Sequence, residues 1–448
     1  MPLLAHSSAD AVVAYRAGVA LTVRQFLSDV EHVQRALGDA AHVLNACHDR
    51  YRFTVGFAAG LTAGKVSLLP STHTPEVIRQ LKVFAPDAVC LTDCADCDIQ
   101  LPQVRYPLDL PRADAGTTVA VPQIDATQLA AYVFTSGSTG MPLPYRKTWG
   151  PLVQCVREEA LRLGLEGRTP WSIVATVPPQ HQYGLESSVL IALANAHALC
   201  AERPFYPADI AATLAAVPRP RALISTPVHL RALTSTDTAL PPTDLIVSAT
   251  APLALQLATE VEKRFDTRLL EIYGSTETGQ IAARRPTQGA EWRLFPGVSF
   301  CLRDGETWAR GGHIEQPTRM CDVLEVTGAG RFLMHGRLAD LVNIAGKRSS
   351  LAYLNHQLNS IAGVLDGAFF HFDDERASHT AVERVAACVV APGMDAARLM
   401  EALRQRIDPV FLPRPLLFVP RLPRNGTGKL PQEALQALAT AHLRASVA

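Results

Sequence analysis

The 448-residue chain has no net charge, because 42 Lys and Arg balance 42 Asp and Glu. It therefore has no global positive field to hold nucleic acid or an anionic membrane. It has no apolar run of the ~20 residues that a bilayer span needs. The longest, 187–201, is interrupted by Asn195 and His197. No basic segment precedes the apolar residues at the N-terminus, and Arg16 breaks them, so neither a secretory signal nor membrane insertion is expected. Nine cysteines in a chain this long are too few and too odd in number for a disulfide framework, which points to a reducing cytoplasm. There is no repeat and no low-complexity tract, and none of the 14 histidines falls in a His-Glu-x-x-His spacing. Cys90, Cys94 and Cys97 lie among Asp93, Asp96 and Asp98 with no evident fourth ligand for a structural zinc ion, so this stretch reads as a strand end and surface loop.

What is present is ordinary globular composition, 48% apolar and 19% charged, enough chain for two or three structural units. Residues 102–128, rich in Pro, Asp, Ala and Thr, read as a loop between units. Beyond it, unbroken apolar strands are expected at 130–134, 171–177, 222–225, 244–248 and 268–272, with helices at 186–199 and 252–265. That alternation predicts an α/β fold with buried sheets. From about residue 336 the pattern restarts as a smaller α+β unit, with strands at 385–390 and 416–419 and a helix at 395–406. The division expected is a large domain over 1–336 and a small, mobile one over 337–448.

Four segments carry chemistry. The first, Thr135-Ser136-Gly137-Ser138-Thr139-Gly140, follows a strand. Its glycines let the backbone approach a polyanion, and its hydroxyls and amides can face phosphate oxygens. It is not a Walker A loop, since no Gly-Lys-Ser/Thr ends it. The second, Tyr273-Gly274-Ser275-Thr276-Glu277, also follows a strand. It offers a ring for a base, a hydroxyl for phosphate and a carboxylate for Mg²⁺. The third runs from Gly336-Arg337 to Gly346-Lys347-Arg348. The fourth, Arg424-Asn425-Gly426-Thr427-Gly428-Lys429, presents a lysine on a glycine-rich turn. Each alone is compatible with a plain surface loop.

In this order the four resemble the adenylate-forming superfamily of acyl-CoA synthetases, peptide-synthetase adenylation domains and luciferases, over essentially the whole chain. The resemblance implies ATP and Mg²⁺ as reactants. It assigns 135–140 to the β- and γ-phosphates, Thr276 to the α-phosphate, Glu277 to Mg²⁺ and Tyr273 to the adenine. Ala249 and Thr250 fall in the adenine-side turn, where glycines are common, beside Gly274. Asp322 and Arg337 match the ribose ligands, and Arg348 matches an arginine that contacts the adenylate phosphate. Lys429 matches the lysine that bridges the acyl carboxylate and the α-phosphate.

Two positions depart from the family pattern. Leu143 replaces the lysine that ends the phosphate loop, for which Lys147 is the expected substitute. Ala339, with Asp340 next, replaces the usual hinge residue. On the acid side, the resemblance points to His181 as the pocket gate and to Gly184 as room for a planar ring, with Thr226, Ala249, Gly274, Ser275 and Ile281 as the remaining walls. The short N-terminal region and the stretch 177–186 look like the short ligases of xanthomonadin and aryl polyene pigment clusters. In that subgroup the acid is an aromatic carboxylic acid such as 4-hydroxybenzoate, and the thiol acceptor is the phosphopantetheine of an acyl carrier protein; CoA is the other acceptor. An alkyl or β-hydroxyacyl acid is the runner-up. A non-catalytic relative is disfavoured because Glu277, Asp322, Arg337 and Lys429 are all present.

Overall fold

A computed structural model describes residues 1–70, 72–111, 113, 119–135, 143–167, 169–337, 341–344, 347–372, 385–424 and 430–445. The fold is mixed α/β, with a large N-terminal domain and a small C-terminal one. Two sheets dominate the first. A six-stranded sheet has the order Gln103–Arg105, Val89–Thr92, His42–Asn45, Val66–Leu69, Leu129–Thr135, Leu143–Thr148, parallel except for the last pair. An eleven-stranded sheet has a parallel centre, Leu245–Ser248, Arg221–Ser225 and Ser172–Ala175, and an antiparallel wing ending in Asp322–Gly328. The central strands read LIVS, ALIS and SIVA and are buried, as expected of parallel strands covered on both faces. One continuous apolar cluster, from Leu3 to Phe332, ties the two sheets together. The small domain has its own core around Leu354, Leu358, Val389 and Leu399.

The strands expected at 130–134, 268–272, 385–390 and 416–419 are present as Leu129–Thr135, Arg268–Ser275, Val385–Val390 and Leu416–Phe418. Three expectations change. The helix expected over 186–199 is split into a π-helical stretch, Leu185–Leu190, and one α-turn, Ile191–Ala194, before residues 198–200 join the sheet. Asn195 ends the turn by donating its side-chain amide to the Ile191 carbonyl at 2.9 Å, and Ala196 takes φ +55°. The helix expected from 252 starts at Leu255. The loop 102–128 contains a short edge strand, Gln103–Arg105, paired with Val89–Thr92. No helix among the described residues is long and apolar enough to cross a membrane.

Thr250 adopts φ +79°. A β-branched residue is strained in this left-handed region by about 1–2 kcal/mol, and glycine is not. The departure from glycine noted in the sequence thus has a backbone consequence. Glycine's extra unfolded-state entropy offsets only about 0.5–1 kcal/mol. Thr250→Gly should therefore raise stability by up to about 1 kcal/mol. A denaturation midpoint lowered by the substitution would contradict this.

Candidate active site

The strand Arg268–Ser275 turns back into Gly279–Arg284, and the second motif supplies the end of that strand and the start of the turn. Gly274 is required by the hairpin, because a Cβ there would lie 2.3 Å from the Gly279 carbonyl oxygen. The Tyr273 hydroxyl donates to the Asp322 carboxylate, and its ring packs on Trp292 and Phe332 at centroid distances of 5.7 and 5.9 Å. Asp322 is in turn the cross-strand partner of Arg337. Three residues distant in sequence, 273, 322 and 337, thus meet at one end of the large sheet.

Glu277 is exposed at the tip of the turn and Thr276 is half-buried. The turn is held from behind by His313, whose Nε2 lies 3.1 Å from the Thr278 carbonyl and whose Nδ1 lies 2.9 Å from Glu158. Glu277 also faces Tyr145 across the domain. Burial, and then the carboxylate its hydroxyl meets, push the Tyr145 phenol up.

Tyr145 and Glu277 line a cavity of about 340 Å³ together with Lys147, Glu186 and His313. Lys147 is only 9% exposed, and no ion pair accompanies it among the described residues. Strand alternation places Leu143, Tyr145 and Lys147 on one face of Leu143–Thr148. Lys147 thus lies on the same face as Leu143, which is 50% exposed, four residues along and in the cavity of Glu277. A larger open depression of about 600 Å³ lies elsewhere, between Arg219, Glu262 and Arg285. Four of its charges pair with one another, Arg219 with Asp244 and Arg285 with Glu262, and none of the expected site residues lines it.

On the acid side, His181 caps the short helix Gln182–Gly184. Its Nδ1 accepts the Tyr183 amide at 3.3 Å, so the neutral ring carries its proton on Nε2. Gly184 needs correction. A Cβ there would fall 1.9 Å from the Pro178 carbonyl oxygen. The glycine admits a neighbouring piece of backbone, and no room for a ring is left at that point. Thr226 is buried with its hydroxyl 3.0 Å from His229 Nδ1, and Ile281 is fully buried in the main core. Ala249 is buried and Ser275 exposed.

Arg50 belongs to none of the sequence motifs. It is fully buried at the start of the helix Arg50–Thr62, donating to the Ala175 and Val177 carbonyls at 2.9 and 2.8 Å and to Ser188 Oγ at 2.6 Å. It pins both sides of the segment that carries His181. Burial pushes its pKa down to about 10.

The AMP-binding enzyme family matches residues 5–308. The chain belongs to this family. It is 30% identical to a 4-coumarate–CoA ligase of Rhodobacter capsulatus, over 68% of this chain and 75% of that one. Its fold is that of MatB from Rhodopseudomonas palustris with ATP bound (TM-score 0.80, 20% identity, 97% of each chain). It is also that of the O-succinylbenzoate coenzyme A synthetase MenE from Bacillus subtilis, in complex with ATP and magnesium ion (TM-score 0.79, 18% identity, 95% of this chain and 97% of that one). An AMP-forming acid–thiol ligase is the enzyme class these comparisons support.

For such an enzyme, Mg²⁺ takes one or two carboxylates and completes its shell with phosphate oxygens and water. An exposed Glu277 beside the Thr276 hydroxyl is a donor set of that kind. Thr135 ends the described part of its strand. Ser136, Gly137, Ser138, Thr139 and Gly140, the hinge positions 339 and 340, Gly346 and Lys429 lie outside the described residues. Arg337 and Arg348 lie in the strands Arg331–Arg337 and Lys347–Ser350, Arg348 opposite Asn343.

Proposed function

We propose that the protein uses Mg-ATP to adenylate an aromatic carboxylic acid, with 4-hydroxybenzoate as the first candidate, and passes the acyl group to a pantetheine thiol. The observation that carries this reading is the convergence of Tyr273, Asp322 and the Arg337 position beside the exposed Glu277. It supplies a ring for a base, an acceptor pair for a diol and a carboxylate for the metal.

In the first half-reaction a carboxylate oxygen forms a bond to the α-phosphorus, and the bond to the bridging oxygen breaks in line, releasing pyrophosphate. Both reactants are anions, so catalysis rests on charge neutralisation and positioning. Bound Mg²⁺ supplies charge at the phosphates. Glu277 holds it, Thr276 meets the α-phosphate, and the loop 135–140 cradles the β- and γ-phosphates. Lys147 supplies the cation missing at 143. Lys429 bridges the acid and the α-phosphate. In the second half-reaction the thiol, losing its proton, attacks the acyl carbon and AMP leaves. We place the domain boundary at 336/337 and the hinge near 339–340, so that rotation of the small domain withdraws Lys429 between the two steps.

The aryl choice is supported by the names of two of the relatives, which are 4-coumarate–CoA ligases. His181 is the gate assigned to the acid. An acyl carrier protein as acceptor, a role in pigment synthesis of the xanthomonadin or aryl polyene type, and a cytoplasmic location belong to the same reading. The test is to offer 4-hydroxybenzoate, Mg-ATP and either CoA or a phosphopantetheinylated carrier protein, and to look for the thioester by mass. Thioester on the carrier but not on CoA is expected. Thioester with neither acceptor would overturn the reading.

Lys147→Ala should raise the KM for ATP about 10- to 100-fold, since one buried cation facing phosphate is worth a few kcal/mol. An unchanged KM would remove Lys147 from the phosphate site.

A further inference from the structure

The crevice at the carboxyl ends of two parallel strands in the six-stranded sheet holds side chains that adenylation does not use. The strands His42–Asn45 and Val89–Thr92 are neighbours, with Asn45 opposite Leu91. From the first strand the chain proceeds to Val66–Leu69 on one side. From the second it proceeds to Gln103–Arg105 on the other. Such a divergence opens a crevice beyond the strand ends, where α/β sheets bind ligands. His48 follows the first strand, and Asp93 and Cys94 follow the second.

The three side chains converge there. Cys94 Sγ lies 3.3 Å from His48 Nδ1 and 3.8 Å from Asp93 Oδ1, and one ligand atom from each residue lies within 4.8 Å of the other two. Zn–S of about 2.3 Å and Zn–N or Zn–O of about 2.0–2.1 Å imply tetrahedral edges of about 3.5 Å, so the spacing suits one ion. The frame is held in place. Asp93 Oδ1 accepts the His48 amide at 2.8 Å, and Oδ2 accepts the Asp49 amide at 3.2 Å and Arg52 at 3.4 Å. Arg105 holds the backbone on the other side through the Ala95 carbonyl at 2.7 Å. His48 is exposed and Cys94 half-buried, so the crevice is open to an ion from solvent.

We propose that His48, Asp93 and Cys94 form a binding site for a divalent transition-metal ion of the zinc class, with three protein ligands and a fourth position open to water. Thiolate, imidazole and carboxylate together suit Zn²⁺ and its surrogate Co²⁺, and do not suit Mg²⁺ or Ca²⁺. Binding replaces the thiol proton of Cys94 by the metal and releases that proton to solvent.

The test uses the full chain, stripped with chelator and titrated with Co²⁺ alone under reducing, anaerobic conditions. A thiolate-to-cobalt charge-transfer band saturating at one ion per chain, and bleached by Zn²⁺, is expected. Cys94→Ser should abolish the band and His48→Ala should weaken binding at least about tenfold, while Cys97→Ser and Cys321→Ser should leave both unchanged. No band, or a band that survives Cys94→Ser, would overturn the proposal. The readout is binding, so it is independent of any failure of the adenylation assay.

Discussion

Lys429→Ala should lower acid-dependent pyrophosphate release by about 10²- to 10³-fold, the usual effect of removing one group that stabilises developing charge. The same variant should still transfer an acyl group from a supplied acyl-adenylate to a thiol. The asymmetry follows from the charges. In adenylation two anions must be brought together, and a cation between them offsets their repulsion at the moment the new bond forms. In thiolysis the acid is already the uncharged carbonyl of a mixed anhydride, so no second anion has to be brought up to the phosphate. The structure anchors the chain on both sides of 425–429. Leu422 is buried in the apolar cluster of the small domain, and Leu430 packs against it. Arg424 grips Asp366 with two hydrogen bonds of 2.8 Å. Such a base suits a lysine that is moved as part of a rigid unit. Equal loss of both half-reactions would contradict the assignment.

Arg50→Met should destabilise the protein by about 2–5 kcal/mol and raise the KM for the acid. Two effects oppose each other. A pKa pushed down to about 10 from 12.5 means that burying the charge costs about 3 kcal/mol, which the substitution relieves. Against this stand three hydrogen bonds from a charged donor, worth about 1.5–3 kcal/mol each, lost with no replacement donor at the Ala175 and Val177 carbonyls. The second effect is larger, and methionine keeps most of the packing, so the loss isolates the polar clamp. Because the acceptors are Ala175, Val177 and Ser188, the clamp holds both ends of the segment bearing His181. An unchanged midpoint in chemical denaturation would contradict this balance, and an unchanged KM would contradict the link to the acid pocket.

Part of the candidate site was legible in the sequence because it is written in short strand–turn units. Tyr273 to Glu277 is expected straight after an apolar strand; in the structure Tyr273 to Ser275 still belong to that strand, and Thr276 and Glu277 form the turn. The spacing of small residues, hydroxyls and a carboxylate is a local pattern, and local patterns survive without knowledge of the fold. What was not legible depends on contacts between distant segments. Nothing near Arg50 in sequence signals that it will meet carbonyls more than a hundred residues away. Tyr145 belongs to no motif, and only the pairing of Leu143–Thr148 with Leu129–Thr135 sets it in the fold where its hydroxyl meets Glu277. Gly184 was assigned to a ligand, whereas the Pro178 carbonyl occupies its space, because a close approach between two backbone segments leaves no trace in composition. The helix expected over 186–199 shows the same limit. Its apolar run is long enough for a helix, but Ala198 to Cys200 pair with Ser172–Ala175 and Val12–Arg16, and sheet pairing overrides helical preference there.

The measurement that tests the central claim most directly is acid-dependent release of pyrophosphate from Mg-ATP over a panel of hydroxybenzoates, cinnamates, alkyl acids and amino acids, with Glu277→Gln alongside. The account predicts release with an aryl acid, strongest with 4-hydroxybenzoate, and its loss in the variant. Release driven by alkyl acids or amino acids alone would contradict the aryl reading, and no release with any acid would contradict adenylation itself.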